Sequence, residues 1–289
     1  MLHRLCLVLL LGSAAVLPGS AAFATPPPYV EHLRKVRQTI KARRLVGRFT
    51  VVVQPPFVVI GDDPPAAVRR RARQTVKWAV DRLKQEYFTR DPSRIIDIWL
   101  FRNARSYNLN TVRLSGKRPG TPYGFYSEEL DVLVMNIATG GGTLVHEIVH
   151  PFVEANFPGA PPWLNEGLGS LYEACGEEHG RIRGYTNWRL PDLQQAIRRK
   201  AVPSFRWLTS RTTDQFYGQD PGTNYSQSRY LLYYLQEQGL LQRFYRAFLA
   251  RRAQDPSGYE TLKQVLGQKE LQAFQRTWEA YVLRLRWAQ

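Results

Sequence analysis

Short apolar runs and longer amphipathic stretches alternate through the first half of the chain. The runs are about four to eight residues long and rich in Val, Ile and Phe, which is typical of strands, whereas the longer stretches repeat apolar residues every three or four positions, as helices do. The predicted strands are residues 49–53, 57–60 and 94–101. The predicted helices are residues 29–45, 66–88 and 103–113. In the longest helix one apolar stripe comprises Val68, Ala72, Val76, Ala79, Leu83 and Tyr87.

The second half of the chain has a different pattern. Two apolar segments, residues 124–126 and 130–136, flank Ser-Glu-Glu and predict a β-hairpin. Later helices are predicted over residues 191–200, 224–237, 240–253, 259–266 and 270–286. These patterns predict an α+β protein, with an α/β part over residues 25–175 and a helical part over residues 176–289.

After the predicted hairpin stands His146-Glu147-Ile148-Val149-His150, an H-E-x-x-H motif. Four helical residues rise about 6 Å and turn about 400°, so the two imidazoles lie one turn apart on the same face. Imidazoles at that spacing can hold one metal ion, and Glu147 can approach a water molecule at the metal without ligating the metal. Thr143 is the expected N-cap of this helix. The alternative is an ordinary buried helix with two hydrogen-bonded histidines.

A third ligand candidate, Glu166, follows in the segment Pro162-Trp163-Leu164-Asn165-Glu166-Gly167-Leu168. A catalytic zinc ion commonly has three protein ligands and an open position, so two histidines alone are too few. Apolar residues recur at helical spacing after this segment, which predicts that Glu166 lies in the first turn of a second helix. Fifteen residues lie between His150 and Glu166, enough for the chain to reverse between two packed helices.

The H-E-x-x-H motif followed by Trp-Leu-Asn-Glu-Gly resembles the gluzincin metallopeptidases of the thermolysin and aminopeptidase-N-like peptidase MA family. The resemblance covers residues 120–240. It implies a zincin-like N-terminal lobe, made of a mixed sheet and the active-site helix, that faces an all-α lobe across a cleft. It implies Zn²⁺ as the cofactor, with the ligands His146, His150 and Glu166. Glu147 would then be the general base, and Asn165 would orient the site from beside the third ligand.

The same resemblance suggests how a substrate is held. In gluzincins an edge strand ahead of the active-site helix pairs with the substrate backbone. The matching residues are Gly124, Phe125 and Tyr126, and the alternative is a plain structural hairpin. Aminopeptidase-like members also use a tyrosine on a later helix to stabilise the oxyanion. Tyr225 is the candidate for that role, with Tyr217 and Tyr230 as alternatives.

Two departures from the family pattern stand out. The spacing from the motif to Glu166 is shorter than in the best-known members. Thermolysin-like enzymes carry an Asp four residues after that Glu, where it supports a histidine ligand, and this chain has Ser170. Glu173, one turn further along, is either the substitute for that Asp or an exposed, solvated carboxylate.

The N-terminus predicts export. Arg4 precedes an apolar run over residues 5–11, and Ala22-Phe23-Ala24 matches the cleavage site of a secretory signal peptide. We therefore expect residues 1–24 to be removed after Ala24 and the protein to be secreted or periplasmic. A membrane anchor is the alternative, although this apolar run is short. No later stretch of the sequence is long and apolar enough to cross a bilayer. Cys175 would be the single cysteine of the mature chain, expected as a buried small residue.

The chain is strongly basic, with a formal net charge of +16. Residues 25–120 contain 21 Lys and Arg against 7 Asp and Glu, whereas residues 121–289 contain 18 against 17. The basic clusters are Arg34-Lys35-Arg37, Lys41-Arg43-Arg44 and Arg69-Arg70-Arg71-Arg73. They form either solvated helix faces or a docking surface for anionic envelope material such as lipid headgroups. Nucleic acid is not expected as a partner, because the sequence combines an export signal with no nucleic-acid-binding motif.

The sequence thus predicts an exported zinc peptidase that acts on a peptide or protein substrate. No acidic motif that would bind a substrate amine precedes the motif helix, which favours an endopeptidase. One alternative is a catalytically silent protein that binds the envelope and keeps the fold. The other is a metal-dependent hydrolase of a non-peptide substrate.

Overall fold

The computed structural model describes residues 27–127 and 129–287. They form an α+β fold with one mixed sheet, as the sequence predicts at this level. The expected signal segment and its cleavage site at Ala24 lie outside the described residues. Among the described helices, none combines the length and apolar character needed to cross a membrane.

Five strands make the mixed sheet. They are β1 (Thr50–Gln54), β2 (Phe57–Gly61), β3 (Ile96–Phe101), β4 (Gly124–Ser127) and β5 (Val132–Asn136), arranged in the order β1-β2-β3-β5-β4. β3 runs parallel to β2 and β5, whereas β1 and β4 pair antiparallel with their neighbours. The predicted hairpin is therefore β4 and β5, and β4 lies at the edge of the sheet.

The first helices cover both faces of this sheet. They are α1 (Pro27–Ala42), α2 (Pro65–Arg71), α3 (Trp78–Glu86) and α4 (Ala104–Ser115). A π-helical stretch over Ala72–Lys77 joins α2 to α3, so the helix predicted over residues 66–88 is continuous.

β2 is buried on both sides, which explains its uninterrupted apolar sequence. On one side Val58 packs with Val36 of α1 and Tyr107 of α4. On the other side Val59 packs with Val68 of α2 and with the core of the C-terminal helices. The sheet thus separates α1 and α4 from the rest of the molecule.

The remaining helices follow the sheet. They are α5 (Gly142–Asn156), α6 (Pro162–Leu171), α7 (Leu190–Arg198), α8 (Phe205–Thr209), α9 (Thr213–Gly218), α10 (Pro221–Glu237), α11 (Leu241–Arg251), α12 (Tyr259–Leu266) and α13 (Leu271–Arg284). A 3₁₀ turn over Ile137–Thr139 precedes α5. α6 crosses α10 closely at Gly167, where a Cβ atom would lie 3.0 Å from the Leu232 side chain and 3.3 Å from Ser228.

The prediction that residues 176–289 are entirely helical is wrong at its start. Strands β6 (Cys175–Glu178) and β7 (Arg181–Gly184) form a separate antiparallel pair. This pair alternates poorly between apolar and polar positions, because Ile182 is its one buried apolar side chain. Ionic contacts hold it instead, since Arg82 of α3 lies 3.0 Å from Glu177 and Arg181 lies 2.7 Å from Glu86.

Candidate metal centre

Two helices bring together the three predicted ligands. His146 and His150 lie one turn apart on α5, with ring centroids separated by 4.9 Å. Glu166 lies on α6, slightly deeper than predicted, since it is the fifth residue of that helix. Its Oε2 lies 3.1 Å from His146 Nε2 and 3.9 Å from His150 Nε2. One donor atom from each residue lies within 4.8 Å of the others.

These distances fit a small divalent cation. Around a tetrahedral zinc ion, with bonds of about 2.0–2.1 Å, ligand atoms lie about 3.3 Å from one another. The two distances to Glu166 bracket that value, and no pair of the three donor atoms lies more than 4.8 Å apart, so binding would require the donors to draw closer together. Within residues 27–127 and 129–287, no other group of three His, Cys, Asp or Glu side chains converges in this way.

The local sequence explains how α5 accommodates its ligands. The helix begins at Gly142, with Gly141 as N-cap and no side-chain cap, so the expected cap at Thr143 is wrong. A Cβ atom on Gly142 would lie 1.9 Å from the Glu173 carbonyl oxygen, so only glycine allows this close approach. Pro151 lies inside α5 and does not end the helix, which continues to Asn156.

Gly169 of α6 makes room for the first histidine. A Cβ atom there would lie 3.0 Å from both Nε2 and Cδ2 of His146. Such a contact is tighter than ordinary packing, so a larger residue would displace the imidazole. Gly169 therefore lets α6 approach α5 closely enough for Glu166 to reach the histidines.

A hydrogen bond fixes the orientation of His150. Its Nδ1 lies 3.0 Å from Oδ1 of Asn165 on α6. An imidazole that donates from Nδ1 has its free electron pair on Nε2, the nitrogen that faces Glu166. Asn165 thus stands where the family resemblance expects it, beside the third ligand.

Glu173 supports His146 in an analogous manner. Its Oε1 lies 3.2 Å from His146 Nδ1, in an ionic contact without good hydrogen-bond alignment. Arg189 donates to both oxygens of Glu173 at 2.8 and 2.7 Å, and Asn187 donates at 3.0 Å. Burial alone would raise the pKa of Glu173, but Arg189 and His146 lower it to about 2. Glu173 is therefore not a solvated carboxylate.

Ser170 occupies the position of the family's aspartate and does not take its place. It is fully buried, and its hydroxyl has no hydrogen-bond partner among the described residues. Of the two roles left open for Glu173, the structure favours that of the substitute for the missing Asp. The sequence carries no local signal for its partners, because Arg189 and Asn187 approach Glu173 from the segment beyond β7.

The charges of the three candidate ligands complement one another. Burial lowers the pKa of His146, but the hydrogen bond to Glu166 and the ionic contact with Glu173 raise it overall, to about 10. Burial raises the pKa of Glu166, while His150 and His146 lower it to about 2. These contacts favour the protonated form of His146 in the metal-free protein, and a cation held by His146 would compete with that proton.

Glu147 is positioned to exchange protons near the ligands. Its Oε2 lies 3.8 Å from His150 Nε2, but Glu147 is not among the three residues whose donor atoms converge. Burial raises the pKa of its carboxyl. The two histidines and a hydrogen bond from the backbone of Tyr126 lower that pKa in part, but the net shift is upward. A buried carboxylate with a raised pKa is a better proton acceptor than an exposed one.

The edge strand β4 lines the cleft above these residues. The backbone N–H of Asn136 donates to the Tyr123 carbonyl at 2.8 Å, which identifies Tyr123 and Asn136 as a hydrogen-bonded pair that continues the β4–β5 ladder. Such pairs alternate along antiparallel strands, so the backbone groups of Gly124 and Tyr126 point away from β5. The side chain of Phe125 packs with the core under α1 and α4. Gly124 has no room for a side chain, because a Cβ atom would lie 2.6 Å from Met135 Sδ.

Two of the three tyrosine candidates reach the site. The Tyr225 ring stacks on His146 with centroids 6.4 Å apart, and Tyr217 donates a hydrogen bond to Oε1 of Glu166. Burial and the nearby Glu166 raise the pKa of both tyrosines, so both are protonated donors at neutral pH. Tyr230 is buried elsewhere, with its hydroxyl against the backbone of Asn187.

Comparison with known proteins adds no relative. The chain matches no protein-family model, and a search of curated proteins finds no match. The family likeness therefore rests on the motif residues and on their geometry.

Proposed function

We propose that this protein is a zinc-dependent peptidase with a zincin-like lobe and a helical lobe on either side of a substrate cleft. The observation that carries the proposal is the convergence of His146, His150 and Glu166 donors within 4.8 Å. The outer partners Asn165 and Glu173 support it, because each faces the Nδ1 atom of one histidine. An ordinary pair of buried histidines would not need this arrangement.

In the proposed mechanism His146, His150 and Glu166 would hold the cation. Zinc supplies Lewis-acid chemistry when bound, since it polarises oxygen atoms that approach it. Glu147 accepts a proton from the attacking water and returns it to the leaving amine. Tyr225 donates a hydrogen bond to the oxygen that gains charge, and Tyr217 is the alternative donor.

The edge strand is the reason to propose a peptide as substrate. A peptide backbone can extend the sheet by pairing with the cleft-facing groups of Gly124, near Tyr126, whose backbone already hydrogen-bonds Glu147. Amide groups in an extended chain match such an edge, whereas a non-peptide substrate would leave it unused. Because no acidic motif that binds an amine precedes the motif helix, we propose cleavage within chains and export of the enzyme to the periplasm or the exterior.

Substitution of Glu147 by Gln tests the proposal. The purified protein and the variant would be analysed for metal content and incubated with a peptide library, with and without a chelator. We expect zinc in both, chelator-sensitive cleavage by the wild type, and loss of turnover by at least about 100-fold in the variant.

Other outcomes would point to the alternatives. A protein without bound metal would favour the silent envelope-binding protein. Zinc without cleavage of any peptide would favour a hydrolase of another substrate class. Full activity of the Glu147→Gln variant would show that another group is the base.

A further inference from the structure

One surface of the protein concentrates positive charge, and the one acid that contacts it among the described ion pairs is Asp62, 4.0 Å from the Arg102 guanidinium. Residues 41–48 and 102–120 contain nine Lys and Arg residues and no Asp or Glu. The two segments are joined, because the Asn110 side chain bonds both the N–H and the C=O of Val46 at 2.8 and 3.0 Å. The Arg113 guanidinium also donates to the Arg44 carbonyl. We call this the α4 surface, comprising residues 41–48 and 102–120.

The α4 surface also exposes apolar side chains. Val46 is 48% exposed, and Leu109 and Val112 are each 39% exposed. Leu109 and Val112 are three residues apart and therefore share the outer face of α4 with Arg105. The opposite face of this helix is buried through Tyr107, Asn110 and Thr111. Val46 adjoins this helix through the hydrogen bonds of Asn110, so the three aliphatic side chains lie near one another, and a grouped apolar patch is typical of an interaction site.

The basic side chains of this surface are mostly unpaired. Among the described residues, no ion pair involves Arg43, Arg48 or Arg105, and all three are exposed. Elsewhere basic side chains do pair, as Arg181 does with Glu86 and Arg189 with Glu173. The charge of the α4 surface is thus available to an external partner.

We infer that the α4 surface docks the protein on an anionic phospholipid membrane. Basic residues near such a membrane are attracted by its surface potential, and aliphatic side chains between them can enter the boundary between headgroups and acyl chains. Nucleic acid would favour exposed aromatic residues for stacking, but the aromatic residue of α4, Tyr107, is fully buried.

The position of the α4 surface is compatible with catalysis at a membrane. α1 and α4 pack on one face of the sheet, and α5, which carries the two histidines, packs on the other. Docking through α4 therefore leaves the candidate metal centre on the far side of the sheet. The basic cluster of Arg69, Arg70 and Arg73 lies on the α5 side and supplies a matched comparison.

Vesicle binding by the full chain tests the inference. Binding would be measured by sedimentation with phosphatidylcholine vesicles, with and without phosphatidylglycerol, at physiological ionic strength. The quantity compared is the preference for anionic over neutral vesicles, which cancels any binding by the apolar N-terminal residues. We expect this preference to fall by about 100-fold in the triple variant R43E/R48E/R105E, because each basic residue near the membrane contributes about fivefold or more to binding. Circular dichroism would establish that each variant remains folded.

Two further variants separate membrane docking from general charge effects. The triple variant R69E/R70E/R73E changes the net charge equally and should retain the preference within a few-fold. The variant V46Q/L109Q/V112Q keeps every charge and should lose about tenfold of the affinity for anionic vesicles, because apolar insertion contributes to binding.

Equal losses in the two charge-reversal variants would overturn the inference, since net charge alone would then explain binding. Unchanged vesicle binding by V46Q/L109Q/V112Q would also overturn it. If, in addition, R43E/R48E/R105E lost affinity for a single-stranded oligonucleotide, the α4 surface would instead be a nucleic-acid site.

Discussion

Substitution of Glu173 by Gln would test whether this carboxylate supports the metal-binding histidine. The change keeps the size of the side chain and removes its charge, so Arg189 and His146 lose a shared anionic partner. We expect weaker metal binding, because an imidazole held by a carboxylate is a better and more precisely oriented ligand.

The magnitude follows from the pKa of Glu173. Its fall from the usual 4.5 to about 2 corresponds to about 3 kcal/mol in favour of the charged form. This figure covers both partners together, because Arg189 makes two hydrogen bonds to Glu173 and His146 makes an ionic contact with it at 3.2 Å. Loss of the His146 contact alone must have a smaller effect than this, and we expect roughly a tenfold loss of metal affinity, at the lower end of the range for such partners.

The assay is competition for zinc against a chromophoric chelator, with thermal unfolding of the metal-free protein measured alongside. Glu178→Gln is the matched control, because Glu178 is an exposed carboxylate that pairs with Arg183 at 3.1 Å. We expect the control to bind zinc as the wild type does. If Glu173→Gln lowered the melting temperature but left zinc affinity unchanged, Glu173 would serve only to hold Arg189, and its support of His146 as a metal ligand would be refuted.

Two other substitutions probe the site from different sides. Gly169→Ala should lower zinc affinity without destabilising the fold, because the new Cβ atom would press on His146 while alanine favours the helix. Both effects would be measured in the same chelator competition and thermal unfolding. Gly218→Ala is the control, because Gly218 has open space around it. Tyr225→Phe should lower kcat by about 100-fold with unchanged metal content, whereas a loss confined to Tyr217→Phe would assign the oxyanion donor to Tyr217.

The parts of the fold that the sequence predicted are those with a strong local pattern. The β2 strand is apolar at every position because both its faces are buried, and the H-E-x-x-H spacing by itself places two imidazoles on one helix face. The short helices α8 and α9 went unpredicted, although Thr212 and Gln215 form a capping box at the start of α9. That signal was available in the sequence.

Other features depend on contacts between distant segments and leave no local trace. The β6–β7 pair has a polar sequence and is held by Arg82 and Glu86 of α3, about one hundred residues away in the chain. The role of Glu173 likewise depends on Arg189, which a loop and two strands bring back to it. Sequence spacing identified the three candidate ligands, but it could not choose between a buried and a solvated Glu173.

The contact between Gly142 and the Glu173 backbone has a consequence for how the site responds to its ligand. The first residue of α5 abuts the chain segment that leaves α6, so the two helices that carry the three donors cannot slide past each other. Their relative geometry is set during folding, and the conformational entropy of arranging the donors is lost at that stage. Capture of a cation would therefore involve adjustment of the three donor side chains, while the two helices keep their relative position.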